Sequence, residues 1–216
     1  MQIPARYADR GVFVCFEGGE GSGKSTQARL LAERLQADGY AVRLTHEPGD
    51  TPVGQELRRI VLSPETGKLS PRTEALLYIA DKAEHVDEVV QPALDRGEVV
   101  ITDRYVDSTL AYQGGGRDLA ADDLEEVARW ATHGLRPHLT VLLDVDPREG
   151  LARFESRDRI EAEGLEFHDR ARRAFLGLAA ADPEHYLVLD ARLAVAELAA
   201  AIADRLASSL DLAQQR

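Results

Sequence analysis

The sequence predicts an α/β fold in which a five-stranded parallel sheet lies between layers of helices. Short apolar segments with strand character alternate with longer segments whose apolar residues recur every three or four positions. This alternation is typical of a parallel sheet covered by helices. A glycine-rich loop between the first strand and the first helix supports the same architecture. The predicted strands are FVCFE, VRLTH, VVITD, LTVLLDV and YLVLD, which begin at residues 13, 42, 99, 139 and 186.

Turn-forming residues mark the ends of the predicted helices. Gly39 and Gly97 follow helix ends, and Pro71 and Pro147 each follow a residue that can cap a helix N-terminus. The apolar spacing between these marks predicts helices over Lys24–Asp38, Pro52–Leu62, Pro71–Arg96, Ala121–His133, Pro147–Arg157, Leu165–Ala181 and Leu193–Leu210.

Length and composition predict a single domain over residues 11–210, with a disordered extension at 1–10 and a tail at 211–216. The 38 acidic residues outnumber the 26 basic ones, so the overall field repels nucleic acid and anionic membranes. Cys15 lies in an apolar strand and is predicted to be buried and unreactive. No apolar run has the length of a signal peptide or a membrane span, which predicts a cytoplasmic protein.

The segment GGEGSGKST matches the phosphate-binding pattern G-x-x-x-x-G-K-[ST]. Its backbone amides and the following helix N-terminus suit the phosphates of a nucleoside triphosphate. Lys24 is expected to reach the β and γ phosphates, and Ser25 to bind Mg²⁺. The predicted nucleotide-binding residues are Gly18, Gly19, Glu20, Gly21, Ser22, Gly23, Lys24, Ser25 and Thr26.

The reaction class depends on residues outside this loop. A regulatory GTPase would carry an N-K-x-D segment and a D-x-x-G loop after a strand, and neither pattern is present in those places. A kinase needs a carboxylate near the metal and cations around the transferred group. Asp103 and Arg104 follow the strand VVIT, at the sheet edge where α/β proteins bind ligands. Asp103 is a candidate for the metal or the acceptor phosphate and Arg104 for the acceptor phosphate, although such a pair also occurs as a surface ion pair.

A second group of cations lies in ARFESRDRIEAEG. Arg153, Arg157 and Arg159 are predicted to lie on a lid at about residues 153–164 that closes over ATP and neutralises charge on the phosphoryl group. The alternative is a solvated helix end, in which neighbouring acidic residues pair with these arginines.

Five segments together resemble the thymidylate kinase family. They are FVCFEGGEGSGKST, EPGDTPVGQELRRIVL, EALLYIADKAEHV, DRYVDSTLAYQGGGR, and LDVDP with the arginine-bearing segment and DRIE, and they span residues 13 to about 206. The resemblance implies a P-loop NTPase three-layer sandwich, Mg²⁺-dependent transfer from ATP to dTMP in dTTP biosynthesis, and a homodimer. Because Glu20 is acidic, it also implies the bacterial type, which supplies its catalytic arginine from the lid.

The resemblance also implies roles for individual residues. Glu47 and Pro48 would line the acceptor loop, and Arg58 would bind the dTMP phosphate together with Arg104. Thr109, Tyr112 and Gln113 would face the nucleoside, with Tyr112 near the deoxyribose. The side chains of Ser108, Thr109, Tyr112 and Gln113 also suit a pyrimidine edge on chemical grounds, although Ser108 and Thr109 can alternatively cap a helix.

Three positions depart from the family pattern. Lys82 replaces an arginine that binds thymine, so a planar fork of donors becomes a single-point donor. His46 and Asp50 replace an arginine and a glycine in the acceptor loop. These departures affect the expected thymine contact and the shape of the acceptor loop. Separately, another nucleoside monophosphate kinase, or a deoxynucleoside kinase with Glu17 or Glu47 as general base, is the alternative within the enzyme class. For the homodimer, the helix Pro71–Arg96 is the suspected contact element, with the alternative that its apolar residues all face the sheet.

Overall fold

The structure, a computed structural model, describes residues 3–154 and 158–214. Five parallel strands form one sheet, as the sequence predicts. The strands are β1 (Val12–Glu17), β2 (Val42–His46), β3 (Val99–Asp103), β4 (Leu139–Asp144) and β5 (Tyr186–Asp190). Their order in the sheet is β2-β3-β1-β4-β5.

The helices cover both faces of this sheet. They are α1 (Lys24–Ala37), α2 (Pro52–Leu62), α3 (Pro71–His85), α4 (Gln91–Asp95), α5 (Val106–Thr109), α6 (Ala121–Ala131), α7 (Pro147–Leu151), α8 (Leu165–Ala181) and α9 (Val195–Gln214). In addition there is a 3₁₀ turn at Pro64–Thr66, and there are π-helical segments at Val86–Val90 and Leu110–Gly116. No helix among the described residues is long and apolar enough to cross a membrane.

Alternation along β1 explains why the sheet has a core on each face. Val14 and Phe16 pack with α1 and α9, whereas Phe13 and Cys15 pack with α3 and α6 on the other face. Every residue of β1 is buried, as expected for the central strand of a parallel sheet. The prediction that Cys15 is buried is confirmed, at 1% exposure.

The structure contains one helical segment that the sequence pattern does not predict, and one predicted helix is shorter than expected. The segment from Val106 to Gly116 is helical although its glycines disfavour a helix. These glycines are needed because a Cβ on Gly115 would lie 2.8 Å from the Ala174 Cβ, and one on Gly116 would lie 2.5 Å from the Phe167 ring. The helix predicted at Pro147–Arg157 ends at Leu151, and residues 155–157 lie outside the described part of the chain.

The N-terminal segment also differs from expectation. Residues 3–10, predicted to be part of a disordered extension, lie against the domain. Arg6 forms a parallel bridge with Leu135, and Ala8 is 6% exposed. The backbone hydrogen bonds from Arg6 N to Gly134 O and from Arg136 N to Arg6 O hold this segment in place. The segment packs because its backbone groups find partners next to β4, which the sequence pattern does not reveal.

Candidate active site

A cleft lies at the carboxyl end of the sheet, beside the glycine-rich loop. Parallel pairing places Phe16 of β1 opposite Asp103 of β3, so the residues that follow these two strands meet. The cleft has a volume of about 820 Å³. It brings together the predicted nucleotide-binding residues from Glu20 to Thr26 with the residues predicted for the acceptor, from Glu47 to Gln113.

The glycine-rich loop wraps around the ammonium group of Lys24. The Lys24 Nζ donates hydrogen bonds to the Gly19 O at 2.8 Å and the Gly18 O at 3.1 Å. Gly18 has φ 136°, and a Cβ at this position would lie 2.3 Å from the Leu143 O, so only glycine fits. Burial and the nearby Arg104 lower the pKa of Lys24 below its ordinary value. The ammonium is largely removed from solvent, so few water molecules would compete with a bound phosphate for its hydrogen bonds.

Two oxygen donors meet at the start of α1. The Ser25 hydroxyl donates a 2.5 Å hydrogen bond to an Asp103 carboxylate oxygen. Ser25 is exposed on the cleft side, and both residues line the cleft. A hydroxyl and a carboxylate are oxygen ligands of the kind that Mg²⁺ prefers. The pair therefore fits the metal expected from the sequence.

Arg104 lies between the glycine-rich loop and the segment 106–116. Its backbone has φ 73°, which turns the side chain back across the loop. The guanidinium donates to Glu20 at 2.6 Å and to the Ser108 hydroxyl at 3.0 Å. Burial alone would raise the pKa of Glu20, but Arg104 and Lys24 outweigh burial and lower it. Glu20 is thus an ionised partner that holds Arg104, and Tyr112 donates a further 2.9 Å hydrogen bond to it.

Glu17 supports this turn from below. Its carboxylate accepts hydrogen bonds from the Tyr105 N at 2.8 Å, the Ser108 N at 3.1 Å and the Ser108 Oγ at 2.6 Å. The side chain is fully buried, and burial together with Asp107 raises the pKa of Glu17 to about 7. Both carboxylate oxygens of Glu17 therefore accept hydrogen bonds from the residues at the start of α5.

The acceptor loop is braced from two sides. The Arg58 guanidinium donates to the Pro48 O at 2.8 Å, and the Asp81 carboxylate accepts from the Gly49 N at 3.0 Å. Asp50, which replaces the glycine of the family pattern, accepts hydrogen bonds from Arg43 at 2.7 Å and Thr45 at 2.6 Å. These contacts give Asp50 a role in holding the loop in shape.

Lys82, the departure in α3, is held by a buried acidic partner. Its ammonium lies 3.0 Å from Glu47, whose other oxygen accepts a 2.6 Å hydrogen bond from His85. Lys82 is 1% exposed as a residue and still lines the cleft. Glu47 therefore fixes the direction of the Lys82 ammonium, which is the single donor in place of the planar guanidinium of the family's arginine.

The residues predicted to face the nucleoside all line the cleft: Ser108, Thr109, Tyr112 and Gln113. The Thr109 hydroxyl is buried and has no hydrogen-bond partner among the described residues. The Gln113 amide donates to Glu74 at 2.9 Å, which fixes its orientation. The alternative reading of Ser108 as a simple helix cap fits less well, because its hydroxyl bonds both Glu17 and Arg104.

The structure separates the three arginines predicted on the lid. Arg153 donates a hydrogen bond to the Gly21 O of the glycine-rich loop at 2.5 Å. Arg159 instead binds Glu74 at 2.5 Å and the Val61 O at 2.8 Å, and neither Arg153 nor Arg159 is among the described residues that line the cleft. Arg157 lies outside the described residues.

The sequence reasoning missed three residues around the acceptor end. Tyr78 lines the cleft, His85 orients Glu47, and Glu74 binds Gln113. Tyr78 could have been found, because it lies four residues before Lys82 on the same face of α3. The Lys82 ammonium is 5.9 Å from the centre of its ring. No local pattern marks Glu74 or His85, since their partners are distant in the sequence.

The chain is similar to known proteins over most of its length. The family model for thymidylate kinase matches residues 16–202. A thymidylate kinase of Cutibacterium acnes is 57% identical over 201 residues, covering 93% of this chain and 98% of the relative. One from Clavibacter michiganensis is 52% identical, covering 90% and 94%. The crystal structure of thymidylate kinase from Ehrlichia chaffeensis superposes with a TM-score of 0.77 at 29% identity, covering 91% of this chain and 98% of that one. The chain belongs to the thymidylate kinase family.

Proposed function

We propose that this chain transfers the γ-phosphoryl group of ATP to the phosphate of dTMP, with the glycine-rich loop as donor site and the opposite end of the cleft as acceptor site. The observation that carries this proposal is the position of Arg104. It links the donor loop through Glu20 to the nucleoside side through Ser108. A cation in that place can contact an acceptor phosphate while Lys24 contacts the donor phosphates.

The transfer needs positioning more than proton abstraction. An oxygen of the dTMP phosphate attacks the γ-phosphorus, and the bond from that phosphorus to the β–γ bridging oxygen breaks, which yields dTDP and ADP. The acceptor is already an anion, so a strong general base is unnecessary. Lys24 and Arg104 would neutralise the crowded phosphates, and Arg153 is the described lid arginine closest to the donor loop.

Ser25 and Asp103 are the residues proposed to hold Mg²⁺, directly or through its water ligands. When bound, the ion would add positive charge beside the donor phosphates. Removal of Mg²⁺ with a chelator is expected to abolish turnover, and restoration of the metal to recover it.

Tyr78, Lys82 and Gln113 are proposed to recognise the base. Tyr78 offers a ring face, and Lys82 and Gln113 offer hydrogen-bonding groups near it. Arg58, next to Pro48 and Gly49, is proposed to bind the acceptor phosphate with Arg104.

The deoxynucleoside kinase alternative is less compatible with this geometry. Its general base would have to be Glu17 or Glu47. Glu17 is buried under the Tyr105–Ser108 turn, and Glu47 is engaged by Lys82 and His85.

A substrate panel tests the proposed function directly. ADP release with dTMP, dUMP, thymidine, dCMP and AMP is expected to be fastest with dTMP. Stimulation by thymidine without stimulation by dTMP would support the nucleoside kinase alternative instead. Tight GTP binding with slow hydrolysis and no acceptor dependence would support a regulatory NTPase.

We also propose a homodimer that forms through α3 and α6. Within Pro71–Arg96, Ile79, Val86 and Val90 are buried, but Leu76 is 57% exposed. On α6, which packs against α3, Trp130 is 70% exposed. Sedimentation of the wild type is expected to show a dimer, and of Trp130→Glu a monomer. Leu193→Glu, an exposed apolar residue elsewhere, is the control.

A further inference from the structure

The carboxylate of Glu74 joins three separate parts of the molecule. One oxygen accepts hydrogen bonds from the Gln113 Nε2 at 2.9 Å and the Arg117 Nε at 3.0 Å. The other accepts from the Arg117 Nη2 at 3.0 Å and the Arg159 Nη1 at 2.5 Å. These four residues, Glu74, Gln113, Arg117 and Arg159, are called the Glu74 cluster below. Glu74 itself is 0% exposed.

The lid side of the Glu74 cluster is docked on the helices of the acceptor side. The Arg159 backbone N donates to the Leu62 O at 3.0 Å, and its Nε donates to the Val61 O at 2.8 Å. Arg117 forms a second ion pair, at 2.6 Å, with Glu163 at the end of the lid segment. Residues 158–164 are therefore held against α2 and α3 by the Arg159 backbone N, Nε and Nη1, and against Arg117 by Glu163. The Arg159 Nη2 is buried and has no hydrogen-bond partner among the described residues.

The other side of the Glu74 cluster reaches the cleft. Gln113 lines the cleft near the base site, and its amide orientation depends on Glu74. The same carboxylate thus fixes a group proposed to face the nucleoside and a group on the lid.

Electrostatics make this link strong. Burial alone would raise the pKa of Glu74, but the hydrogen bonds from Arg117, Gln113 and Arg159 outweigh it and lower the pKa. The carboxylate is therefore ionised at neutral pH. Its removal would leave Arg159, which is 10% exposed, without its charge partner.

We propose that Glu74 is a positioning residue that couples docking of the lid to the acceptor site, and that Arg159 acts through Glu74 and not on the transferring phosphate. This inference rests on the proposed function, because it assigns roles within that reaction. A different arginine of the lid would then neutralise the transferring phosphate, and Arg153 is the candidate among the described residues.

A double-mutant cycle tests the proposal. Glu74→Gln and Arg159→Met are each expected to lower kcat/KM for dTMP about tenfold, mainly through KM, with kcat within about threefold of wild type. The double variant is expected to lose about tenfold as well, because both changes break the same link. Arg153→Met combined with Glu74→Gln is the control pair, and its effects are expected to multiply.

Two results would overturn the proposal. One is a loss of about a hundredfold in kcat for Arg159→Met with an unchanged KM, since that places Arg159 on the transition state. The other is multiplication of the Glu74→Gln and Arg159→Met effects. If Glu74→Gln does not fold, a second double-mutant cycle combines Arg159→Met with Gln113→Ala and leaves Glu74 in place. The effects of these two changes on kcat/KM must then also fail to multiply. Failure of the proposed function is a separate result, since it would appear as no dTMP stimulation of the wild type.

Discussion

The phosphate loop takes its nine residues from one stretch of chain, whereas the acceptor side of the cleft takes its side chains from the loop after β2, from α2 and α3, from the end of β3 and from the segment 106–116. The loop is shaped by backbone, with glycines at positive φ and carbonyl groups around Lys24. The acceptor side is shaped by side chains that hold one another, such as Glu47 with Lys82.

This difference indicates how each region should respond to substitution. In the loop, the Lys24 side chain is proposed to contact the donor phosphates, so its loss should lower turnover directly. On the acceptor side, recognition is proposed to be shared among several groups, so single losses should be smaller and should depend on their neighbours.

The largest effect is expected for Lys24→Ala. Loss of the buried ammonium should lower kcat by about a hundredfold or more, because no other described lysine lines the donor end. Turnover is measured by ADP release and folding by thermal unfolding. Lys68→Ala, which removes an exposed lysine, should leave the rate unchanged. Near-normal activity of Lys24→Ala would refute the donor role of the loop.

Arg104→Met is expected to come next. Because Arg104 is proposed to bind the acceptor phosphate, its loss should lower kcat/KM for dTMP by about a hundredfold while KM for ATP changes little. The matched control is Arg96→Met, at an exposed arginine that pairs with Glu98 before β3. An equal rise in the two KM values would show that Arg104 does not belong to the acceptor side.

Tyr78 tests the shared recognition on the acceptor side. Tyr78→Ala should raise KM for dTMP about tenfold, since an aromatic face stacked on a base contributes about 1–3 kcal/mol. Tyr78→Phe keeps the ring and should stay close to wild type in the same assay. A large defect in Tyr78→Phe would assign the effect to the hydroxyl instead.

Asp81, which braces the acceptor loop, should affect stability more than activity. Burial, with Glu47 nearby, raises the pKa of Asp81 from 3.8 to about 7. A carboxyl group whose pKa is raised by folding stabilises the protein fully below its unfolded pKa, and this contribution is lost as the pH rises to about 7.

Asp81→Asn should therefore remove part of the fall in unfolding free energy across that interval, by up to about 4 kcal/mol, because one pKa unit corresponds to about 1.4 kcal/mol. Thermal unfolding of both proteins at several pH values measures this difference. Glu17, whose pKa is also raised to about 7, titrates in both proteins, so its contribution to the pH dependence cancels when the two profiles are compared. Parallel pH profiles for the two proteins would contradict the raised pKa of Asp81.

The predictions from sequence held where the determining contacts are local. The strands, the glycine-rich loop, and the position of Asp103 and Arg104 at the end of β3 follow from apolar period and motif spacing. Because the strands pair in parallel, their carboxyl ends meet at one edge of the sheet, and no knowledge of other contacts is needed to predict this. The roles of the site residues, the Mg²⁺ ligands and the homodimer stay predictions.

Tertiary contacts decided the rest. The chain from Leu110 to Gly116 is helical although it ends in three glycines, and α8 packs so closely on Gly115 and Gly116 that only glycine fits at these two positions. Residues 3–10 lie on the domain because their backbone pairs beside β4. Arg159 turns toward Glu74, which is 85 positions earlier in the chain. The sequence by itself determined the sheet and the donor loop, since their contacts are periodic or adjacent. Only the tertiary structure determined which side chains complete the acceptor side, since those partners are far apart along the chain.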